Sequence, residues 1–480
     1  MMSLKQKTLS GLIWTFIQQF SVQLISFCIT IILARILLPK EFGLLAMLSV
    51  FIAVGNSLLE GGLTSSLIRS SGLSQEDYST VFFFNLGGSI VIYLLVFMMA
   101  PYISAFYHQD ILTLVLRVYA LDFILNAFFG VQNARLTKEM NFKIQMAIQI
   151  PSVFIGGLLG VGLALNGFGV WSLVWMNLLQ SFISTLLHWM YSGWLPSPVF
   201  SKRCFKQHFH FGYKMTLTGL LDILYRNIYV LIIGRYFSIT QLGFYSRADS
   251  VSQLPVSNIS AVINKVTYPM FATIVDDDLQ LKRVYKKLMQ QVLFWNAPVL
   301  IFLAVVGEPL FRLLLTSKWL PAVPYFQILC MAGVIYPLHA YNLNILKVKG
   351  RSDLILKLEM IKKVLCVAGI LGVVSFGIYG LLYFQLGFNF LGYYINSIYS
   401  SKLINYPVRE QISDIFPILV ISFLSGIFCY ALDHFYLQYL LSDTLRILID
   451  GLCFSLIYLG SSSLSKLSAI HDFKQLILKP

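Results

Sequence analysis

Long runs of apolar residues recur along this chain of 480 residues, with short polar connections between them. A helix needs about 20 consecutive apolar residues to cross the hydrocarbon core of a bilayer. The first run, Leu12 to Leu38, is too long for the apolar part of a cleavable signal peptide. The pattern therefore predicts an all-α polytopic membrane protein with about fourteen transmembrane helices.

Charge is scarce, and its placement indicates membrane topology rather than nucleic-acid binding. Charged residues make up 12% of the chain, about half the share typical of soluble domains. The net charge of +14 comes from Lys and Arg that lie mostly between the apolar runs, as in the cytoplasmic loops of membrane proteins. A nucleic-acid-binding protein would gather them on one solvated face, so no nucleic-acid partner is expected.

The distribution of Lys and Arg also predicts the orientation of the spans. With the N-terminus in the cytoplasm, the cytoplasmic connections and span ends hold about three times as many Lys and Arg as the outer ones. Arg312 and Arg446 fall on the outer side, near predicted span ends. An even number of spans returns the C-terminus to the cytoplasm, so both termini are predicted to be cytoplasmic.

Short matching stretches indicate an internal repeat. Ile31–Arg35, followed by Gly43, recurs as Leu231–Arg235, followed by Gly243, at an offset of 200 residues. A second match relates the start of the sixth span, Phe-Gly-Val-Trp, to the start of the twelfth, Phe-Gly-Ile-Tyr. The matches keep the same order and the same topological positions, which favours duplication of a six-helix unit.

The repeat predicts how the chain is divided. Two lobes of six helices would occupy residues 1–200 and 201–410, and two further helices residues 411–480. Because six is an even number, both lobes enter the membrane from the same side, so the repeats are parallel and related by an axis along the membrane normal. This arrangement is typical of transporters that rock two lobes around a site near the midplane.

No catalytic, metal or cofactor site is evident. The chain has no phosphate-binding Gly-rich loop and no Gly-x-Ser-x-Gly motif. Its six cysteines are isolated, and His208 and His210 lie in a basic loop, where solvated positions are expected rather than metal ligation. The acidic run Asp276 to Asp278 could bind a metal, but it precedes an amphipathic stretch and is better placed to cap that helix.

Ionisable residues inside the spans are the candidates for function. Each costs about 2.5–3.5 kcal/mol at the centre of a membrane helix on insertion scales, so each needs a partner or a role. Asp222 and Arg226 lie four residues apart in the seventh span, on one helix face, and are able to pair. Snorkelling and internal ion pairs are the structural alternative to lining a polar cavity between the lobes. The candidate substrate-cavity residues are Glu60, Arg117, Asp122, Asp222, Arg226 and Lys265.

A cavity of mixed charge suits a particular class of substrate. Its Arg and Lys side chains could hold an anionic headgroup such as a diphosphate, because guanidinium and ammonium groups form charge-assisted hydrogen bonds with phosphate oxygens. Its carboxylates could accept hydrogen bonds from sugar hydroxyls or bind a coupling cation.

Several short motifs resemble a known family of flippases. They are Ser10–Trp14, Ile32–Leu37, Pro39–Gly43, Gly61–Leu63 and Phe168–Trp171. On these motifs the chain resembles the Wzx-like polysaccharide flippases of the multidrug/oligosaccharidyl-lipid/polysaccharide exporter superfamily. The resemblance runs over most of the chain and is densest in its N-terminal part.

The resemblance implies a flippase of twelve plus two helices in a bacterial inner membrane. It would move undecaprenyl-diphosphate-linked oligosaccharide from the inner to the outer leaflet by alternating access. Implied partners are this substrate, membrane lipid, a coupling cation, and a polysaccharide polymerase and glycosyltransferases. Charged cavity residues handle diphosphate and sugars in relatives, a role that matches Glu60 and Arg226 here. The first span is uncharged from Thr8 to Ala34, unlike relatives that flip the peptidoglycan precursor, which argues against that substrate.

Two other functions stay open. A cation-coupled multidrug exporter of the same superfamily predicts a cavity dominated by acidic residues, whereas Arg117 and Arg226 make the set mixed. A membrane-embedded polysaccharide polymerase or ligase would usually present a sizeable outer loop for its chemistry, and the outer loops here are short.

Overall fold

The computed structural model describes residues 4–60 and 62–470. Over these residues the chain forms helices joined by short turns, with no β-strand. Within residues 4–60 and 62–470, eleven helical segments are long and apolar enough to cross a membrane, or twelve if one bent pair counts as a single span. The predicted all-α polytopic membrane fold is confirmed, whereas the count of fourteen spans is not.

The helices divide between two compact units, Met1–Gly243 and Phe244–Pro480. The first unit contains α1 (Leu4–Ile36), α2 (Pro39–Glu60), α3 (Leu63–Arg69), α4 (Gln75–Tyr107), α5 (Ile111–Tyr119), α6 (Leu121–Lys138), α7 (Phe142–Leu165), α8 (Val170–Tyr191), α9 (Lys202–Arg226) and α10 (Ile228–Tyr236). The predicted division into residues 1–200, 201–410 and 411–480 stays a prediction.

The second unit begins within a long helix. Its helices are α11 (Ile239–Thr273), α12 (Asp278–Val305), α13 (Gly307–Leu315), α14 (Val323–Gly333), α15 (Tyr336–Val348), α16 (Ser352–Val373), α17 (Gly377–Leu403), α18 (Val408–Leu432), α19 (Gln438–Leu440) and α20 (Asp443–Leu464).

Two segments explain why fewer than the fourteen predicted spans are found. The apolar segment Ser352–Leu403 contains two helices, α16 and α17, which pack against each other on either side of a short 3₁₀ turn, Val374–Phe376. Gly377, with φ of +79°, allows the chain to reverse there. α11 is long enough to cross a membrane, but it is not among the apolar segments, because Gln, Ser and Asn recur along it together with Arg247, Asp249 and Lys265.

In the first unit, α1 packs on α7 and α7 on α8, while α2 contacts both α6 and α9. One polar contact ties α1 to its neighbour, because Gln18 Nε2 on α1 donates to Gln149 Oε1 on α7 at 2.8 Å. Close packing of α7 also depends on Gly157, where a Cβ atom would overlap the Ile29 side chain of α1.

The two copies of the repeated Gly-containing segment meet in a reciprocal contact. A Cβ atom on Gly43, in the first turn of α2, would overlap the carbonyl oxygen of Ile239. A Cβ atom on Gly243, in the first turn of α11, would overlap the carbonyl oxygen of Pro39. The same 200-residue offset relates the glycines and the carbonyls they meet, so the contact follows the internal repeat. Only glycine allows two backbones to approach this closely.

In the second unit the last two long helices pack on α12. Lys282 Nζ lies 2.9 Å from Glu410 Oε2 and Lys286 Nζ lies 2.8 Å from Asp414 Oδ1, which joins the start of α12 to α18. Further along, the Tyr458 hydroxyl of α20 donates to the Phe294 carbonyl oxygen at 2.7 Å. The C-terminal helices are therefore integrated into the packing of this unit.

Candidate functional site

Asp122, in the first turn of α6, is the centre of a buried polar cluster in the first unit. Ser181 Oγ of α8 donates to its Oδ1 at 2.5 Å, and Asn126 Nδ2 donates to its Oδ2 at 2.8 Å. Asn56 Nδ2 of α2 lies 3.5 Å from the same Oδ2. The side chain is only 6% exposed. All three of these described partners are neutral donors, so they solvate the carboxyl group without supplying a cation.

Arg117 lies on α5, and its described contacts are with α4. Its Nε donates to the Phe97 carbonyl oxygen at 3.2 Å, and its guanidinium carbon lies 4.2 Å from the centre of the Phe97 ring. The fourth predicted span is broken at Ala120, between α5 and α6. Arg117 and Asp122 therefore belong to different helices, and these contacts place Arg117 with α4.

The seventh predicted span is broken next to two other candidates. α9 ends at Arg226, and the segments Met215–Arg226 and Ile228–Tyr236 meet at an angle of 47°. Asp222 is half-buried one turn before the break, and Arg226 is exposed at the break itself. An arginine at this position complements the negative end of the helix dipole. Broken membrane helices of this kind line the substrate path in many transporters.

α9 brings this break close to the α2 segment that contacts Asp122. A Cβ atom on Gly219, one turn before Asp222, would lie 3.2 Å from Ser57 Oγ of α2. The neighbouring Asn56 is the residue of α2 that reaches Asp122. α2 thus carries polar side chains toward both α6 and α9, which puts the two groups of candidates on neighbouring helices.

Two candidates have side chains outside the described part of the chain. Glu60 is the last residue of α2, one turn after Asn56, and Lys265 lies within α11. Their backbones are placed on these helices, and their roles in a cavity stay predictions.

The fold also contains a buried histidine where solvated histidines were expected. His208 on α9 is 0% exposed. One of its ring nitrogens, Nδ1, lies 2.8 Å from Ser66 Oγ on α3, and the other, Nε2, lies 3.2 Å from Asp77 Oδ1 on α4. His210 is exposed, as expected. His208 thus joins the start of α9 to α3 and α4, and the expectation of a solvated side chain was wrong for it.

One part of this contact between α9, α3 and α4 is recognisable in the sequence. Ser74 and Asp77 form a reciprocal capping box at the start of α4, a pattern that Ser-x-x-Asp before an apolar run can indicate. The partner of Asp77 is 131 residues away in the chain, and no local pattern points to it. Gly62 and Gly212 allow the backbones before α3 and within α9 to approach closely at the same contact, since a Cβ atom on Gly62 would overlap the backbone of Gly212.

His208→Ala is expected to lower the free energy of unfolding by about 1–3 kcal/mol, because it leaves the buried Ser66 hydroxyl without its partner and removes the contact between α9 and Asp77, which keeps its capping contacts with Ser74. His210→Ala is the matched control, two residues away on the same helix and exposed. Thermal unfolding of the purified variants in detergent measures the difference. Equal melting temperatures for the two variants would contradict the assigned role of His208.

The second unit holds an ion-pair cluster that sequence reasoning missed. Arg446 of α20 donates through Nε and Nη2 to the two oxygens of Asp433, both at 2.7 Å, and through Nη1 to Asp443 at 3.0 Å. Arg446 is 2% and Asp433 6% exposed. The charged residues that recur across the last two spans are the sequence feature that could have indicated this cluster. Arg446, however, lies near a predicted span end, where the sequence predicts an outer, solvated arginine.

An apolar cavity of about 590 Å³ lies in the second unit between the start of α15, α17 and α18, and it is open to the helix surface, where Phe416 and Leu424 of its lining are exposed. Its lining side chains are aliphatic or aromatic, and they include Ile335, Tyr393, Ile412, Phe416, Leu419 and Phe423. Such a cavity suits an apolar chain rather than a charged or sugar group.

Comparisons with known proteins agree with the fold. A family described as "Polysaccharide biosynthesis protein" matches residues 32–324. The lipopolysaccharide biosynthesis protein WzxC of Escherichia coli (strain K12) is 27% identical over 444 residues, which cover 89% of each chain. The teichuronic acid biosynthesis protein TuaB of Bacillus subtilis (strain 168) is 25% identical over 357 residues, 74% of each chain.

A solved structure extends the comparison to nearly the whole fold. The lipid II flippase MurJ, in an inward closed conformation, matches with a TM-score of 0.76 and covers 98% of this chain and 100% of that one. At 12% sequence identity this likeness shows a shared two-lobe all-α fold and not a shared substrate.

Proposed function

The chain belongs to the polysaccharide biosynthesis protein family, and from this premise we propose that it is a flippase for undecaprenyl-diphosphate-linked oligosaccharide. It moves this substrate from the inner to the outer leaflet of a bacterial inner membrane by alternating access, for the synthesis of a surface polysaccharide. The observation that carries the proposal is a lipid-flippase fold over 98% of a chain whose relatives are named for polysaccharide biosynthesis.

The side chains of the first unit support a substrate with an anionic headgroup and sugars. Arg226, exposed beside the break between α9 and α10, is available to a diphosphate. Asp122, held by neutral donors, can accept from a sugar hydroxyl if one of these donors moves aside. Glu60, Arg117 and Asp222 of the same unit complete the proposed path, although Arg117 would first have to leave its contacts with Phe97. A role for Lys265, which lies in the second unit, is proposed separately.

The apolar cavity between α15, α17 and α18 supports a lipid-linked substrate rather than a free sugar. A polyprenyl chain is aliphatic throughout, and its burial against aliphatic and aromatic side chains is favoured in proportion to the apolar area removed from water. We therefore propose that the oligosaccharide and diphosphate contact polar residues while the lipid tail stays in apolar surroundings.

The orientation and the partners are part of the same proposal. Both termini lie in the cytoplasm, as the excess of Lys and Arg in alternate connections favours. Glycosyltransferases would supply the lipid-linked substrate on the cytoplasmic side, and a polysaccharide polymerase would use it on the outer side. The protein itself forms and breaks no covalent bond in this proposal, so it acts as a transporter and not as an enzyme.

A cation-coupled exporter is the alternative function. The buried Asp122, which lacks a cationic partner among its described contacts, is the kind of group that binds a coupling ion or a cationic drug. Arg226 disfavours this alternative, because a guanidinium group repels a cationic drug.

Arg226→Ala tests the proposed site in cells that depend on this protein for surface polysaccharide. Loss of a charge-assisted hydrogen bond costs about 1.5–3 kcal/mol, so export is expected to fall about tenfold or more, while the amount of protein in the membrane stays the same. Arg203→Ala, which removes an exposed arginine near the start of α9, is the control and should export normally. Unchanged export by Arg226→Ala would remove Arg226 from the substrate path.

The location of the lipid-linked oligosaccharide tests the function apart from the site. When the protein is depleted, the intermediate is expected to accumulate in the inner leaflet. Its accumulation in the outer leaflet would instead indicate a polymerase, and no accumulation would contradict a role in this pathway.

A further inference from the structure

Asp450 on α20 is a fully buried carboxyl group whose oxygens have no hydrogen-bond partner among the described residues. The residue is 0% exposed, and neither Oδ1 nor Oδ2 accepts a hydrogen bond from a described residue. It lies about a third of the way along the membrane helix α20, about 10 Å along the axis from Asp443 at a rise of 1.5 Å per residue. An ionised carboxylate in such a place would have lost its hydration without gaining donors, which is strongly unfavourable.

Two arginines of the neighbouring ion-pair cluster could stabilise a charge on Asp450, but both are already paired with other carboxylates. Arg446, one turn earlier on the same face of α20, is held by both oxygens of Asp433 and by Asp443. From α13, Arg312 contacts Asp443 and Glu308. These groups already comprise three carboxylates and two guanidinium groups, so ionised Asp450 would add a fourth negative charge to a cluster with a negative excess.

Among the described residues, the contacts that α18 and α12 make with α20 near Asp450 include no cation. α18 contributes the Cys429 thiol, which lies within electrostatic range of Asp450. Next to Asp450, the contact from α12 is that of the Phe302 ring with Gly451. A metal ion would need several convergent oxygen ligands, and no group of three His, Cys, Asp or Glu residues suitable for a metal occurs in the described part of the chain.

The backbone beside this cluster is irregular. Asp433 opens a π-helical turn, Asp433–Leu437, that follows α18. π-helical turns are rare and occur frequently at functional sites. Here the turn presents the carboxylate that holds Arg446, so the position of Arg446 depends on this irregular local structure.

We propose that Asp450 is a proton-binding site, and that its protonation decides which carboxylate holds Arg446. With the proton bound, Arg446 stays on Asp433, as in this structure. When the O–H bond of Asp450 breaks, the proton passes to water and the new carboxylate draws Arg446 from Asp433 by one helical turn. The π-helical turn then loses its anchor, which couples a proton to the packing of α18 on α20.

The proposal goes beyond lipid flipping, because it concerns a proton and two helices whose role the proposed function leaves open. It can be tested without any transport substrate, so its failure and the failure of the flippase assignment are distinguishable.

Infrared difference spectroscopy of the purified full-length protein at neutral pH tests proton occupancy. The spectrum of wild type minus Asp450→Asn is expected to show the stretching band of a protonated carboxyl group. Asp443→Asn is the matched control, since Asp443 is ion-paired on the same helix, and its difference spectrum should show a carboxylate band instead. Asp450→Ser gives the same comparison if the Asn variant does not fold. A carboxylate band for Asp450 would overturn the proposal.

Maleimide labelling of Cys429, with the other five cysteines replaced by serine, tests the movement of Arg446. Cys429 is buried on α18, one turn before Asp433. Its labelling rate relative to the Asp450→Asn variant is expected to rise several-fold as pH increases, because only the wild-type carboxyl group can ionise and release Asp433. The ratio removes the effect of pH that both proteins share, whereas the direct electrostatic effect of ionised Asp450 on the Cys429 thiol would lower the ratio rather than raise it. A ratio that stays constant with pH would show that Asp450 does not control this contact.

Discussion

Arg446→Ala is expected to lower the free energy of unfolding of the second unit by about 3–5 kcal/mol, since removing one partner of a buried ion pair leaves the other charge uncompensated. Asp433 is 6% exposed and receives two hydrogen bonds from Arg446 at 2.7 Å. Both would be lost, and Asp443 would lose a contact as well. Thermal unfolding of the purified protein in detergent measures the effect.

Arg312→Ala is the matched control for this prediction. Arg312 contacts Asp443 and Glu308, but its side chain is 42% exposed, and exposed ion pairs contribute about 0–1 kcal/mol. A double variant, Asp433→Asn with Arg446→Gln, removes both charges and is expected to be more stable than Arg446→Ala alone. Equal destabilisation by Arg312→Ala and Arg446→Ala would contradict the importance assigned to burial.

The second large effect is expected at the reciprocal glycine contact. Gly243→Ala places a Cβ atom on the Pro39 carbonyl oxygen, and Gly43→Ala places one on that of Ile239. Neither neighbour is the end of a flexible side chain, so the backbones must separate. Overpacking of this kind costs about 1–3 kcal/mol and sometimes more. Each variant is therefore expected to melt at a lower temperature and to export less polysaccharide than wild type.

Gly162→Ala separates this effect from the general cost of replacing a helical glycine. Gly162 lies in α7, and a Cβ atom there meets nothing within 4 Å, so alanine should be neutral or slightly stabilising. Because Gly43 and Gly243 share one contact, the double variant should be less destabilised than the sum of the single variants. Additive effects would indicate that the two glycines act independently.

The sequence predicts the spans well where apolar runs are uninterrupted, because lipid-facing helices must be apolar along most of their length. It is less informative where that condition is relaxed. α11 carries Arg247, Asp249 and Lys265 in a helix of 35 residues, and the single apolar segment Ser352–Leu403 contains two helices. Composition alone does not divide this segment, but the Phe-Gly-Ile-Tyr match of the internal repeat predicts a span start at the position where Gly377 turns the chain in the structure.

A functional residue can be recognised from the sequence only when its residue type is unusual at its position. Asp122 is noticeable because a carboxyl group in an apolar run requires an explanation. Its partners Asn56 and Ser181 are 66 and 59 residues away, so their contact with it depends on helix packing. His208 and Arg446 lie in a basic loop and near a predicted span end, where charged residues are ordinary, and only the fold reveals their burial.

Translocation by the purified protein in liposomes, with a labelled lipid-linked oligosaccharide in one leaflet, tests the assignment as a flippase most directly. The label is expected to reach the other leaflet faster than in protein-free liposomes, and Arg226→Ala should slow this transfer. Efflux of a cationic dye, measured on the same preparation, should not exceed the protein-free rate. No transfer of any lipid-linked oligosaccharide, together with robust dye efflux, would contradict the flippase assignment and favour the cation-coupled exporter.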